Sequence, residues 1–146
     1  MSRTIVIGSD HGGYTLKQAL IKALADWGCL VEDQGPDCLD SCDYPIYAAK
    51  VVERVRNDNG VLGVLICGTG QGMTMTANRM GVRAALCTNE FLARMAREHN
   101  DARILCLGER VTGQGLALAI LKTFLETGFG GERHQRRIDL MDTVSK

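Results

Sequence analysis

The chain lacks a charge imbalance: its 146 residues carry 17 lysines and arginines against 17 aspartates and glutamates. That balance argues against nucleic acid or an anionic membrane surface as the main partner. No stretch approaches the roughly 18 consecutive apolar residues of a membrane span. A strand pattern begins at Thr4 and leaves no room for a secretory leader, so a cytoplasmic protein is expected. There is no Cys-x-x-Cys, the pattern expected of a thiol redox protein. The six cysteines, at positions 29, 38, 42, 67, 87 and 106, are irregularly spaced, and Cys67, Cys87 and Cys106 end or sit inside apolar, strand-like runs. Reduced thiols suit that distribution better than a disulfide framework. Cys38 and Cys42 share a polar loop without a second ligand pair, so no metal site is expected. Low-complexity tracts, linkers and internal repeats are also missing, which leaves one domain, residues 1–146, long enough for a full core.

What is present is organised around residues 61–79. Val61-Leu62-Gly63-Val64-Leu65-Ile66 is apolar apart from one glycine, the pattern of a strand buried on both faces of a parallel sheet. Gly68, Gly70 and Gly72 then alternate with Thr69 and Gln71, and residues 73–80 have a helix-compatible composition. A glycine loop between a strand and a helix N-terminus can turn its N–H groups toward one point, which makes a site for an anion. Cys67 stands at the lip of that site, and a thiol near a helix N-terminus ionises more readily. Thr69 adds a hydroxyl that both donates and accepts. The glycines do not fit G-x-G-x-x-G, and the lysine of a P-loop is missing. By position alone, Cys67 reads equally well as a small buried hydrophobe at a strand end.

The rest of the chain alternates strand and helix. Residues 4–8 form a short apolar strand, and Ser9-Asp10-His11-Gly12-Gly13 is the turn after it. Leu16, Ala19, Leu20, Ala23, Leu24 and Trp27 then share one helical face, closed by Gly28 as a C′ residue. Leu30 and Val31 mark a weaker second strand, followed by a long polar loop over residues 33–42. Asp43-Tyr44-Pro45 reads as a helix start with a capping carboxylate, and Tyr47, Ala48, Val51, Val52 and Val55 form its apolar face. Residues 82–87 are strand four. Thr88 is the expected cap of a helix whose apolar face is Phe91, Leu92, Met95 and Ala96. Residues 103–107 are strand five, residues 115–127 a helix, and residues 132–144 a last, polar helix. Five strands alternating with helices predict an α/β fold, a single doubly wound domain: a five-stranded parallel sheet flanked by helices, with a polar C-terminal helix.

In such sheets ligands bind beyond the carboxyl ends of the strands, where strand order reverses. That rule gathers Asp10 and His11 after strand one, Cys67 and Thr69 after strand three, and Glu109 and Arg110 after strand five. His99 and Asn100 end helix four, toward the opposite edge, unless a partner subunit brings them in. A non-catalytic phosphate- or nucleotide-binding domain and a thiol redox or metal protein are function classes to weigh against whatever a family resemblance implies. Taken singly, His11 also reads as a turn residue, His99 as a favourable charge at a helix C-terminus, and residues 132–137 as a solvated charged face.

Gly8-Ser9-Asp10-His11-Gly12-Gly13, Asp43-Tyr44-Pro45, Cys67-Gly68-Thr69-Gly70, Ala77-Asn78, Gly81-Val82-Arg83-Ala84, His99-Asn100-Asp101 and Gly131-Glu132-Arg133-His134-Gln135-Arg136-Arg137 resemble ribose-5-phosphate isomerase type B. That family also includes galactose-6-phosphate and allose-6-phosphate isomerases. The resemblance runs nearly end to end, and the His-Asn-Asp and Arg-His-x-x-Arg segments look like its ribose-type branch.

The resemblance implies cofactor-independent aldose–ketose isomerisation of a sugar phosphate, ribose 5-phosphate to ribulose 5-phosphate, through an enediolate. It implies Cys67 as the base, Thr69 passing a proton between O1 and O2, and His99 opening the furanose ring. Asp10, His11, Gly68, Gly70, Gln71, Gly72, Asn100 and Arg110 would line the substrate, while His11, Arg133 and Arg137 would hold its phosphate. Arg133 and Arg137, four apart on a helix, share one face, whereas Arg136 points elsewhere. The arginines are expected to reach in from a second subunit, in a homodimer or homotetramer with shared sites. Two positions depart from the family pattern. Met73 stands where some members use a glutamate base, so the base falls to Cys67. Gln71 replaces a small or β-branched apolar residue, and a side-chain amide there bears on which sugar fits.

Overall fold

The computed structural model describes residues 3–146. Strands β1 (Thr4–Ser9), β2 (Leu30–Asp33), β3 (Leu62–Cys67), β4 (Ala84–Leu86) and β5 (Ile104–Gly108) form one sheet in the order β2-β1-β3-β5-β4, every pair parallel. Six α-helices connect and follow them: α1 (Tyr14–Asp26), α2 (Tyr44–Arg56), α3 (Gln71–Arg79), α4 (Glu90–Glu98), α5 (Gln114–Glu126) and α6 (Glu132–Val144).

Right-handed crossovers decide which face each helix covers. The steps from β1 to β2 and from β4 to β5 run in one direction across the sheet, so α1 and α4 share a face, with α5 beside them. There Ile5, Ile7, Val64, Ile66, Leu105 and Leu107 pack against Leu16, Leu20, Leu24, Ile120 and Phe124. The steps from β2 to β3 and from β3 to β4 run the other way, which puts α2 and α3 on the second face. There Val6, Leu65, Ile104 and Cys106 meet Val51, Val52, Val55, Met73 and Ala77. Each fully buried aliphatic side chain of these two layers contributes about 1.5–3 kcal/mol. The expected doubly wound parallel sheet is therefore observed, and β3 at its centre is buried throughout.

The topology also fixes where a site can open. The chain leaving β3 turns to one face, whereas the chains leaving its neighbours β1 and β5 turn to the other. Crevices therefore flank the carboxyl end of β3 on both sides. The registers Ser9↔Ile66 and Cys67↔Gly108 bring the ends of these three strands level.

Several local expectations change. Helix α3 begins at Gln71 rather than near Met73, drawing two loop residues into its first turn. The cap of α4 is Asn89, whose carboxamide oxygen accepts the Leu92 N–H at 2.8 Å, and not Thr88. Asp43 occupies the N-cap of α2 without using its carboxylate there. Helix α4 turns Ala93 and Ala96 inward and leaves Phe91 59% and Leu92 40% exposed, because its close packing on α5 admits only small residues. Lys17 is fully buried within an otherwise apolar face. Helix α6 inserts only His134 and Ile138 into the body.

Candidate active site

Three loops meet at the carboxyl ends of β1, β3 and β5. After β1, the Asp10 N–H donates to the Ile66 carbonyl at 3.2 Å and lays the turn against β3. The buried Asp10 carboxylate accepts the Gly13 N–H at 3.1 Å and so caps a single 3-10 turn over His11–Gly13. After β5, the backbone N–H groups of Glu109 and Arg110 donate to the carbonyls of Cys67 and Gly68, each at 3.0 Å. The Arg110 guanidinium lies over Gly68, where a Cβ would stand 3.4 Å from Nη1. The Glu109 carboxylate turns the other way and accepts the Leu16 N–H at 2.7 Å, which ties the start of α1 to the β5 loop.

The glycine loop sits between these two. Gly70 has φ 82°, and a Cβ on it would meet the Leu86 side chain at 2.5 Å and the Leu107 carbonyl carbon at 2.9 Å. Both the dihedral and the space demand glycine. The Gly70 N–H donates to Cys67 Sγ at 3.1 Å. Thr69 Oγ1 accepts the Gln71 N–H at 3.3 Å, which leaves the Thr69 hydroxyl proton free to be donated. Tyr44 lies so close on Gly72 that a Cβ there would be 2.6 Å from its ring. Gly70 is the N-cap of α3 and has no side chain to satisfy the first N–H groups. Free N–H groups with a helix dipole behind them are suited to an anion.

Cys67 itself is 5% exposed. The thiols of Cys87 and Cys106 lie within the core, where burial pushes both up to about 12 and keeps them protonated and inert. Burial also raises the Cys42 thiol, and the nearby Asp10 and Asp43 carboxylates add to that. The Cys42 backbone N–H has a separate use: it donates to His11 Nδ1 at 3.2 Å. With Nδ1 as acceptor, a neutral His11 carries its proton on Nε2, the nitrogen left to donate to a ligand. Among the described residues, no group of three or more histidine, cysteine or acidic side chains is placed to hold a metal.

Asp10, His11, Cys67, Gly68, Thr69, Gly70, Gln71, Gly72 and Arg110 are thus brought together in one chain, on a shelf where Thr69, Gln71 and Arg110 are exposed. His99, Asn100, Arg133 and Arg137 are not. His99 caps the C-terminus of α4 and precedes β5. It therefore stands at the amino edge of the sheet, about 17 Å of five-residue strand away from the Cys67 end. The turn is held firmly there. Asp101 has φ 45°, and Arg83 Nε donates to the carbonyls of Asn100 and Asp101 at 3.0 and 3.3 Å. Arg97 Nη1 reaches Asp101 Oδ1 at 3.0 Å and the Ala102 carbonyl at 2.8 Å. Helix α6 starts against this turn, with Arg133, Arg136 and Arg137 all exposed. With His134 and Ile138 facing inward, helical geometry sets Arg133 and Arg137 side by side along one edge and points Arg136 straight outward.

Sequence reasoning missed Tyr44 as a wall of the loop, the Cys42 N–H that orients His11, the Glu109 tie to α1, and His134. Only His134 left a signal: it stands four residues before Ile138, on the same helical face. The other three depend on contacts between distant segments.

Residues 5–141 match the family model described as Ribose/Galactose Isomerase. The chain is 36% identical over 145 residues to the ribose-5-phosphate isomerase B of Escherichia coli, an alignment covering 99% of this chain and 97% of that one. Its structure is similar to that of a ribose-5-phosphate isomerase B from Clostridium thermocellum, with a TM-score of 0.94 and 48% identity over 97% of both chains. It is also similar to the ribose-5-phosphate isomerase B of Mycoplasma genitalium solved with bound ribulose 5-phosphate, with a TM-score of 0.93 and 42% identity, covering 99% of this chain and 97% of that one.

Proposed function

This chain belongs to the ribose/galactose isomerase family, and we propose that it interconverts ribose 5-phosphate and ribulose 5-phosphate through a cis-enediolate, with Cys67 as the base. Isomerases of this kind are intramolecular oxidoreductases: two electrons move between C1 and C2 of one sugar, and no external oxidant is required. The observation that carries the reading is Cys67 Sγ at the carboxyl end of β3, 3.1 Å from the Gly70 N–H and beside Thr69 and the N-terminus of α3.

The Cys67 thiolate takes the proton from C2 of the open-chain aldose and returns it to C1. As the proton leaves, charge grows on the carbonyl oxygen. The N–H groups of the loop from Gly68 to Gly72 other than those of Gly70 and Gln71, which are bonded to Cys67 Sγ and Thr69 Oγ1, would stabilise that charge. Thr69 passes a proton between O1 and O2, a role its free hydroxyl proton supports. Asp10 and Arg110 hold the sugar, and His11 offers Nε2–H to the phosphate.

Ring opening by His99, sugar binding by Asn100 and phosphate binding by Arg133 and Arg137 call for a second copy of the chain. These four residues are a strand length from their own Cys67, so the reading requires a homodimer or homotetramer with sites shared between subunits. The exposed apolar side chains of Ile46, Met75 and Phe91 support such association. Six free cysteines support a reducing, cytoplasmic location. None of the described helices is long and apolar enough to cross a membrane.

Gln71 supports one variation on substrate. Its exposed amide at the start of α3 offers a donor and an acceptor to a longer sugar such as allose 6-phosphate. A coupled assay across ribose 5-phosphate, allose 6-phosphate and erythrose 4-phosphate tests both. The expected result is the highest kcat/KM on ribose 5-phosphate. Higher kcat/KM on allose 6-phosphate would shift the reading to the hexose, and no turnover of any of the three would overturn it.

A further inference from the structure

His134 is the one ionisable side chain of α6 that turns inward, and it is 7% exposed. Its imidazole lies flat on that of His99, with ring centroids 4.3 Å apart and planes 19° apart. The backbone beside the stack is fastened, since the Gly130 N–H donates to the Glu98 carbonyl at 2.8 Å. His99 keeps solvent access, with 40% of its side chain exposed, and its Nε2 lies 3.9 Å from a Glu98 carboxylate oxygen.

Nothing in the chemistry described so far uses His134. Yet an exposed histidine at a helix end has a broad, roughly two-fold torsion about its second side-chain bond, so on its own it would sample many ring planes. A flat neighbour at stacking distance selects one. The same neighbour lies on α6 between Arg133 and Arg137. We propose that His134 is a positioning residue: by stacking on His99 it fixes the plane of the ring-opening imidazole and holds it in register with Arg133 and Arg137. One chain then offers the ring-opening group and the phosphate grip to the partner's Cys67 as a single unit.

The groups around His134 suit a neutral ring. His99 and Glu98 face it from the end of α4, and Arg133 and Arg137 from its own helix; burial, then His99 and the two arginines, lower its proton affinity, and only Glu98 opposes them. A proton on one imidazole of the stack opposes a proton on the other. A neutral His134 therefore serves as a platform rather than as a second acid.

The proposal rests on His99 being the ring-opening group, and the test separates the two. Three variants, His134→Phe, His134→Ala and His99→Asn, are assayed on ribose 5-phosphate, which closes to a furanose, and on erythrose 4-phosphate, which cannot. His134→Phe keeps a flat face and should keep the wild-type ratio of kcat/KM between the two substrates. His134→Ala should lower that ratio on the order of tenfold or more, since small misplacements of an oriented group cost that much. His134→Leu, which fills the space without a flat face, takes its place if the alanine variant does not fold. In the resting enzyme, the His99 ring protons should show a ring-current shift by NMR that persists in the phenylalanine variant and vanishes in the other. A selective loss in His99→Asn with an equal loss on both substrates in His134→Ala would overturn the positioning role and leave His99 as the ring opener. An equal loss on both substrates in His99→Asn would overturn the ring-opening assignment itself, and this proposal with it.

Discussion

Lys17 and Asp33 form an ion pair in which the lysine is wholly buried while the carboxylate stays 38% exposed. Lys17 Nζ donates to both carboxylate oxygens, at 2.8 and 2.9 Å, and to the Pro36 carbonyl at 2.9 Å. Asp33 in turn accepts the Gly35 N–H at 2.8 Å, and the Gly35 carbonyl accepts the Ser9 N–H at 3.1 Å. A buried lysine of α1 thus holds the loop after β2 against the end of β1. The same loop runs on to Cys42, whose N–H orients His11.

Lys17→Met should therefore do two things. Stability should fall by roughly 2–3 kcal/mol, the cost of leaving a carbonyl and a half-buried carboxylate without their donor. KM for the sugar phosphate should rise more than kcat falls, because the loop around His11 loosens while Cys67 is untouched. Denaturant unfolding and steady-state kinetics measure both. A lower melting temperature with unchanged KM would show that the loop keeps its place without the lysine.

Cys67→Ala should abolish turnover and leave binding of a non-reactive sugar-phosphate analogue within a few-fold of normal, since the loop N–H groups remain. Cys106→Ala should leave turnover near normal, because that thiol is sealed in the core. Near-normal turnover in Cys67→Ala would remove it as the base.

Shared sites predict complementation. Cys67→Ala and Arg137→Ala should each be nearly inactive alone. Unfolded together and refolded, half of randomly assorted dimers pair one chain of each kind, and each such dimer has one intact site of two. Recovery of about a quarter of wild-type activity is expected for a two-fold dimer. Arg136→Ala, with its side chain pointing outward, should be active by itself. No recovery on mixing would mean that each site is built within one chain.

His134 also predicts a stability change with pH. Its proton affinity is lower in the folded chain than in the unfolded one, so the unfolded state takes up more protons as pH falls. The stabilisation is whole above the ordinary histidine range and shrinks as pH falls from about 6.5 toward the folded value. His134→Phe should flatten this part of the stability–pH curve. An identical curve in wild type and variant would show that His134 does not contribute to it.

Much of this molecule is legible in its amino-acid order, for local reasons. Residues 61–66, apolar apart from Gly63, read as a strand covered on both faces, and Gly68 and Gly70 after them as a loop, where Gly70 indeed takes φ 82°. The three-to-four periodicity of Leu16, Leu20 and Leu24 and the period of Val51, Val52 and Val55 place two helices and their inward faces. Gly28, at φ 85°, ends α1 as expected. Each of these follows from neighbouring residues alone.

What tertiary structure decided depends on which distant segments meet. Strand order cannot be read from hydrophobic pattern, yet inserting β5 between β3 and β4 is what brings Arg110 onto Gly68. Helix α4 carries Phe91 and Leu92 in an apolar pattern and still buries its alanines, because the distance to α5 selects for size over hydrophobicity. His99 and Cys67 are both chemically suggestive, but only the direction of α4 shows that they lie at opposite ends of the sheet. The stack of His134 on His99 joins residues 35 apart in sequence. Local propensity acts over a few residues, whereas a site is assembled by packing, and packing is decided by the whole chain at once.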